Sequence, residues 1–135
     1  MSERQFRWFA ATAIVAAGVL AYANSMRNEF VWDDASSILI HQHIQDPSQF
    51  FQLFREDLHA YGRGQGNFYR PLLAASYMLD YALSRPAAPE AAPSPLLFHV
   101  SSTAWHLAAA LLFLVLLLRM KAPRFVCLAA PLLYA

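Results

Sequence analysis

Two long stretches without charged side chains dominate the pattern of apolar and polar positions along the chain. Residues 8–26 form a run of 19 uncharged residues, and residues 96–118 form a run of 23. At about 1.5 Å per residue, a helix of either length can cross a hydrocarbon core of roughly 30 Å. A third apolar run, residues 125–135, covers the last 11 residues of the sequence. We therefore predict an all-α membrane protein with two complete transmembrane helices and the start of a third span.

The composition agrees with this prediction. Apolar residues make up 58% of the chain and charged residues 14%, against about 45–50% and about 25% in soluble domains. A net charge of +1 without a Lys/Arg cluster speaks against a nucleic-acid partner. The single cysteine, Cys127, has no internal disulfide partner, and its apolar surroundings predict a buried, inert thiol.

The first apolar run has two interpretations. Arg4 and Arg7, an apolar centre and the small-x-small sequence at 21–23 fit a cleavable secretory signal. An uncleaved signal-anchor fits the same residues. We favour the signal-anchor because the uncharged run extends to Met26 and a second full-length span follows.

Positive charge flanks the two spans on one side. The cations are Arg4, Arg7, Arg119, Lys121 and Arg124. The positive-inside rule places both flanks in the cytoplasm, so the N-terminus is cytoplasmic and the region between the spans lies outside. The predicted segments are the anchor 1–26, the extracytoplasmic loop 27–95, the second span 96–118, a cytoplasmic loop 119–124 and the truncated third span 125–135. The membrane is then a bacterial inner membrane or a eukaryotic endoplasmic reticulum.

Short helices are predicted inside the loop. Asp46 followed by Pro47 is a helix start, and the aromatic face up to Phe54 predicts a short amphipathic helix in the membrane interface or under the cover of the loop itself. Residues 71–83 are too short and too polar to span and predict a re-entrant or interfacial helix. Residues 30–40 are expected to contain a further short helix capped by Asp33 or Asp34.

Two further segments of the loop are rich in particular residue types. Residues 61–66 contain three glycines, which suits a phosphate-binding loop or, as we prefer, a flexible turn. Residues 85–95 are rich in proline and alanine and predict an extended linker into the second span.

The candidate chemistry lies around two features. Asp33 and Asp34 form a carboxylate pair just beyond the first span, where desolvation is costly. His99 and His106 are seven residues apart and share one helical face, about 10 Å apart, too far for one metal ion to join. Each histidine has either a buried hydrogen-bonded role or a place on a polar cavity.

The order of these motifs resembles a known family. An apolar span, then Asn-x-Phe-x-Trp-Asp-Asp from residue 28, Tyr-Arg-Pro-Leu from residue 69, and Phe-His at 98–99 with a second histidine at 106 resemble the C-type-fold (GT-C) membrane glycosyltransferases. The likeness is strongest to the transmembrane-and-tetratricopeptide-repeat O-mannosyltransferases and their bacterial relatives. It covers the chain from about Ala21 onward. Ser102 departs from the pattern, because the family's His-x-x-Asn would place an asparagine there.

The resemblance implies a transferase that moves a sugar from a polyprenyl-phosphate carrier to a protein or glycan hydroxyl outside the cytoplasm. It implies that Asp33 is the catalytic base, with Asp34 as a cap, an acceptor contact or a cation ligand, so a divalent cation is left open and no other cofactor is expected. Arg70, beside Tyr69, would stabilise the leaving phosphate, and His99 and His106 would contact substrate. The structural alternatives are helix capping for the aspartates and lipid contact for Arg70.

Two other interpretations remain open. A non-enzymatic anchor or scaffold subunit would contain the same spans without donor binding. A transporter fragment is disfavoured because the charges lie in the loop and not at mid-span. We expect the intact protein to be an enzyme and this chain alone to be inactive, because two complete spans do not enclose a lipid-donor cavity.

Overall fold

A computed structural model describes residues 1–61, 68–84 and 91–135, and all regular structure in them is helical. The α-helices are α1 (Glu3–Tyr22), α2 (Gln42–Gln45), α3 (Pro71–Ser84), α4 (Pro95–Arg119) and α5 (Arg124–Tyr134). Tighter or wider turns occur as 3₁₀ helices at Ala23–Arg27 and Pro47–Phe54 and as a π-helical turn at Ala35–Leu39.

Two helices are long and apolar enough to cross a membrane. They cover Glu3–Arg27 and Pro95–Arg119, 25 residues each, and contain the two predicted spans. Only 17% and 11% of their most apolar windows are buried by the rest of the chain. Both helices are therefore mostly exposed, unlike the core helix of a soluble domain. That α5 begins a third span stays a prediction.

Local sequence explains where the helices begin. Ser2 and Gln5 form a capping box, in which the Ser2 hydroxyl accepts from the Gln5 amide and the Gln5 side chain accepts from the Ser2 amide. Pro71 and Pro95 are the first residues of α3 and α4, where a missing N–H costs nothing.

The chain divides into two compact units. The first unit consists of Met1–Met26 and Ser102–Ala135, and the second consists of Arg27–Ser101.

The first unit packs α1, α5 and most of α4 around small residues. Ala10 and Ala110 are fully buried, together with Phe6, Ile14, Leu114 and Cys127. Cys127 is buried, as predicted, and the inertness of its thiol stays a prediction. Small side chains at such contacts let helix backbones approach closely, which is the usual basis of helix packing in membranes.

The second unit has a separate apolar core. Ile44 of α2, Leu53 of the 3₁₀ helix, Leu58 of the following turn, and Ala74 and Met78 of α3 form it. The predicted start at Asp46-Pro47 is confirmed, since the Asp46 carboxylate accepts from the Ser48 amide at 2.9 Å. The helix that follows is 3₁₀ and not α. The glycine-rich segment beyond Tyr61 and the linker residues 85–90 lie outside the described residues.

Gly18 of α1 lies against Leu107 of α4. A Cβ atom built on it would lie 2.4 Å from Cδ2 of Leu107. We expect Gly18→Leu to force α1 and α4 apart and to destabilise the first unit by about 1–3 kcal/mol, the usual cost of overpacking. Thermal denaturation in detergent micelles, followed by circular dichroism, measures the loss. Ala16→Leu, at an exposed position on the same helix, is the matched control, and equal melting temperatures for the two variants would contradict this packing.

Candidate functional site

The carboxylate pair lies on a tight turn, Val31–Asp34, which we call the Trp32 turn. Its two ends are joined by reciprocal hydrogen bonds: the Val31 amide donates to Oδ2 of Asp34 at 2.8 Å, and the Asp34 amide donates to the Val31 carbonyl at 3.0 Å. The π-helical turn that follows has no side-chain cap. Helix capping by Asp34 was therefore a wrong expectation, because its carboxylate is engaged with the preceding backbone.

The turn holds Trp32 in a strained conformation. Its φ is +49°, in the left-handed region that bulky residues rarely adopt, at a cost of about 1–2 kcal/mol. The indole is also 96% exposed, so it does not offset this cost by packing. Strained residues without a packing role often mark functional positions.

Asp33 is the free carboxylate of the pair. The side chain is exposed, and among the described residues it makes no hydrogen bond or ion pair. Only its backbone carbonyl is used, as acceptor from the Ser36 hydroxyl at 3.0 Å. Asp33 therefore has both carboxylate oxygens available to a ligand.

Three charged side chains, Asp34, Arg70 and Asp80, act electrostatically on Tyr77, in the middle of α3. Burial raises the pKa of the Tyr77 phenol, and the negative charges of Asp34 and Asp80 raise it further, whereas the Arg70 guanidinium lowers it. The phenol therefore stays protonated at neutral pH. We call Asp34, Arg70, Tyr77 and Asp80 the Tyr77 cluster.

Asp80 is the buried member of this cluster. Its residue is only 4% exposed, and its Oδ2 accepts from the Ser101 hydroxyl at 2.6 Å. Burial raises the pKa of the Asp80 carboxyl, and the bond from Ser101 partly opposes that shift. A hydroxyl satisfies one oxygen but brings no opposite charge, so ionisation of Asp80 remains costly.

The start of α4 is held against the segment that precedes the Trp32 turn. Nε2 of His99 lies 3.0 Å from the Asn28 carbonyl, to which it donates. The Phe98 ring makes an edge contact with Phe30 at 5.2 Å and lies 6.1 Å from the ring of Tyr77. The start of α4 thus contacts both the segment around residues 28–30 and Tyr77.

The remaining predicted site residues have identifiable contacts. The Tyr69 hydroxyl donates to the Phe54 carbonyl at 3.0 Å, and the Arg70 guanidinium lies 5.7 Å from the centre of the Phe68 ring. His106 belongs to the first unit, where its Nε2 donates to the Tyr134 carbonyl at 3.0 Å. Both histidines of α4 are partly buried and hydrogen-bonded to backbone, which favours the first of their two interpretations.

A second polar network lies around Glu56, in the second unit. Nδ1 of His43 is 2.7 Å from the Glu56 carboxylate, and the Tyr61 hydroxyl is 3.0 Å from Nε2 of His43. His41 is fully buried and its Nδ1 accepts from the Ile44 amide at 3.3 Å. Its Nε2 lies 3.7 Å from Glu56 and has no hydrogen-bond partner within residues 1–61, 68–84 and 91–135.

Sequence reasoning did not identify Asp80 or the Glu56 network as parts of a site. An acid within an otherwise apolar helix is a recognisable signal, so Asp80 was open to prediction. His41, His43 and Glu56 had no such signal, because their spacing matches no motif.

The described part of the chain contains no group of three or more His, Cys, Asp or Glu side chains placed to hold a metal ion. A divalent cation at Asp33 and Asp34 stays a prediction. Such a cation would use the free Asp33 oxygens, the type of ligand that Mg²⁺ and Ca²⁺ prefer.

Comparison with known proteins gives one informative similarity. The chain is 28% identical over 106 residues to the protein O-mannosyl-transferase TMTC3 of Mus musculus. The match covers 76% of this chain and 11% of the relative, so the chain spans about a tenth of that protein's length. No family model and no solved structure matches. The similarity supports a distant relation to the TMTC and GT-C glycosyltransferases.

The Glu56 network predicts that the stability of the surrounding fold depends on pH. Burial lowers the pKa of His41 below its ordinary value of 6.5, so the unfolded chain takes up this proton before the folded chain does. The stability contributed by neutral His41 is therefore complete above about pH 6.5 and is lost as the pH falls through that value toward the lower folded pKa. We expect hydrogen exchange in the peptide covering residues 38–58, corrected for its intrinsic pH dependence, to lose protection over this range.

His41→Asn removes the titrating ring but keeps a side-chain acceptor at the N-cap. We expect this variant to lose the pH dependence, whereas Gln42→Asn at the next, exposed position keeps it. An unchanged pH dependence in His41→Asn would show that another group is responsible.

Proposed function

We propose that this chain is the N-terminal part of an integral-membrane glycosyltransferase. The enzyme transfers a sugar from a polyprenyl-phosphate carrier to an acceptor hydroxyl, on protein Ser/Thr or on a glycan, outside the cytoplasm. The observation that carries this proposal is the 28% identity over 106 residues with an O-mannosyltransferase. The two apolar helices and the carboxylates beside the first of them fit such an enzyme.

Asp33 is the proposed catalytic base. The acceptor oxygen forms a bond to the anomeric carbon while the bond from that carbon to the carrier phosphate breaks, and the acceptor proton passes to the Asp33 carboxylate. Its exposure and its lack of partners among the described residues support this role. Asp34 is the positioning residue, because its bonds to Val31 hold the turn that presents Asp33.

Arg70 is the proposed partner of the leaving phosphate. Transfer of the sugar leaves negative charge on the carrier phosphate, and a guanidinium stabilises it through two parallel N–H bonds. Arg70 is exposed and is the positively charged member of the Tyr77 cluster. Tyr69, beside it, is tied to Phe54 and restricts the backbone at this point.

The first test concerns the base. We expect Asp33→Asn in the native gene product that carries this sequence to lower transfer of mannose from polyprenyl-phosphate mannose by at least about 100-fold, the usual effect of losing a general base. Stability should change by less than about 0.5 kcal/mol, because the side chain is exposed. Transfer is measured in isolated membranes with a radiolabelled donor.

Glu29→Gln is the matched control, since Glu29 is an exposed acid in the same segment. It is expected to transfer at the normal rate. A normal rate in Asp33→Asn would remove Asp33 from the mechanism. Absence of both donor binding and transfer in the unaltered protein would favour a scaffold or anchor subunit instead.

The second test concerns orientation. The proposal requires a cytoplasmic N-terminus and an extracytoplasmic second unit. In a Cys127→Ala background, we expect a cysteine at Ser48 to react with a membrane-impermeant maleimide in intact spheroplasts. A cysteine at Lys121 should react only after the membrane is opened; both positions are exposed in the structure. The reverse labelling pattern would leave the proposed chemistry without its lipid-linked donor.

A further inference from the structure

The first unit contains a groove that the proposed reaction does not use. It lies between the N-terminal turns of α1 and the C-terminal turns of α4 and has a volume of about 840 Å³. Its floor is apolar and consists of Ala11, Leu111, Leu114, Val115 and Leu118. Its charged rim contains Glu3 and three arginines: Arg4, Arg7 and Arg119.

The rim carries an excess of positive charge. Its one carboxylate, Glu3, is already ion-paired with Arg124, whose guanidinium also lies 5.5 Å from the centre of the Phe6 ring. Arg4, Arg7 and Arg119 are exposed and make no hydrogen bond or ion pair with the residues that the structure describes. Glu3 also interacts electrostatically with Arg7, but this one carboxylate, already paired with Arg124, does not balance the three guanidiniums that border the groove.

The positive rim and the apolar floor together indicate which class of ligand the groove can bind. Guanidinium groups bind phosphate oxygens through paired N–H donors, and a floor of branched apolar side chains accepts hydrocarbon. Both walls belong to the helices that are long enough to span a bilayer, and the arginines lie in their terminal turns, where lipid headgroups would be. The occupant that matches all three features is an amphiphile with an anionic phosphate.

We propose that this groove is a binding site for an anionic phospholipid. The phosphate binds to Arg4, Arg7 and Arg119, and one acyl chain lies along the floor formed by α1 and α4. Trp8, which lines the groove and is 68% exposed, contacts the lipid at the level of the headgroup, as interfacial tryptophans do. This site goes beyond the proposed transfer reaction and does not depend on it.

The fluorescence of Trp8 can report which lipid occupies the groove. Substituting the chain's two other tryptophans, as Trp32→Phe and Trp105→Phe, leaves a single-tryptophan protein. This protein is reconstituted in vesicles of unlabelled phosphatidylcholine with increasing fractions of brominated phosphatidylglycerol or brominated phosphatidylcholine. Bromine quenches indole fluorescence on contact, so the two curves give relative affinities at the groove. We expect phosphatidylglycerol to be preferred by at least about tenfold.

The arginines should account for that preference. A basic residue near an anionic lipid surface contributes about 1 kcal/mol, or about fivefold in affinity. We expect Arg119→Gln to lower the preference about fivefold and the triple variant with Arg4→Gln and Arg7→Gln to abolish it. Circular dichroism should show the same helix content in each variant, because these side chains are exposed.

Lys121→Gln is the matched control, since Lys121 carries the same charge two residues beyond Arg119 but does not line the groove. It should keep the full preference. If Lys121→Gln and Arg119→Gln lowered the preference for phosphatidylglycerol equally, diffuse surface charge would explain that preference and the proposal would be overturned. Equal quenching by the two brominated lipids would also overturn it. Loss of the preference on adding inorganic phosphate at constant ionic strength would overturn it as well.

Discussion

A chain that enters a bilayer must pair its backbone N–H and C=O groups within itself, and this constraint accounts for the distribution of structure along the sequence. The two longest helices coincide with the two uncharged runs, and their ends carry the charged residues. Between them, the described backbone of residues 28–94 contains a strained turn, a π-helical turn and a 3₁₀ helix. Such irregular backbone needs water or protein groups as hydrogen-bond partners, so it is not suited to direct contact with lipid.

The Trp32 turn shows how this irregular segment serves a site. Two reciprocal hydrogen bonds between Val31 and Asp34 engage one carboxylate of the pair and leave Asp33 unengaged. The two carboxylates therefore differ in environment, although they are adjacent in sequence: Asp34 is bonded to the backbone and Asp33 is exposed. The resemblance alone proposed different roles for the two acids; the turn gives that difference a physical basis.

The sequence was sufficient for features that depend on a few neighbouring residues. The helix starts at Asp46-Pro47 and Pro71 follow from local rules, and the spans follow from length and polarity. Local rules do not reveal which distant partner a side chain finds. The bonds of Asp80 with Ser101 and of His99 with Asn28 join residues 21 and 71 positions apart. The missing cap at Asp34 has the same origin, because its carboxylate had a nearer donor in Val31.

The unfavourable features of the second unit are themselves an argument about function. In the part of the chain that the structure describes, Trp32 has a positive φ without packing, the buried Asp80 carboxyl is bonded to a hydroxyl and to no cation, and His41 has a buried nitrogen without a hydrogen-bond partner. Each costs stability, and a glycine, an asparagine or an apolar residue at these positions would reduce the cost. Among the described residues, the buried polar side chains Ser37, His41 and Asp80 all belong to the second unit, whereas the first unit has a positive φ only at the exposed Lys121. Folding alone gives no reason to keep such costs, and the three lie in the same unit as Asp33 and Arg70.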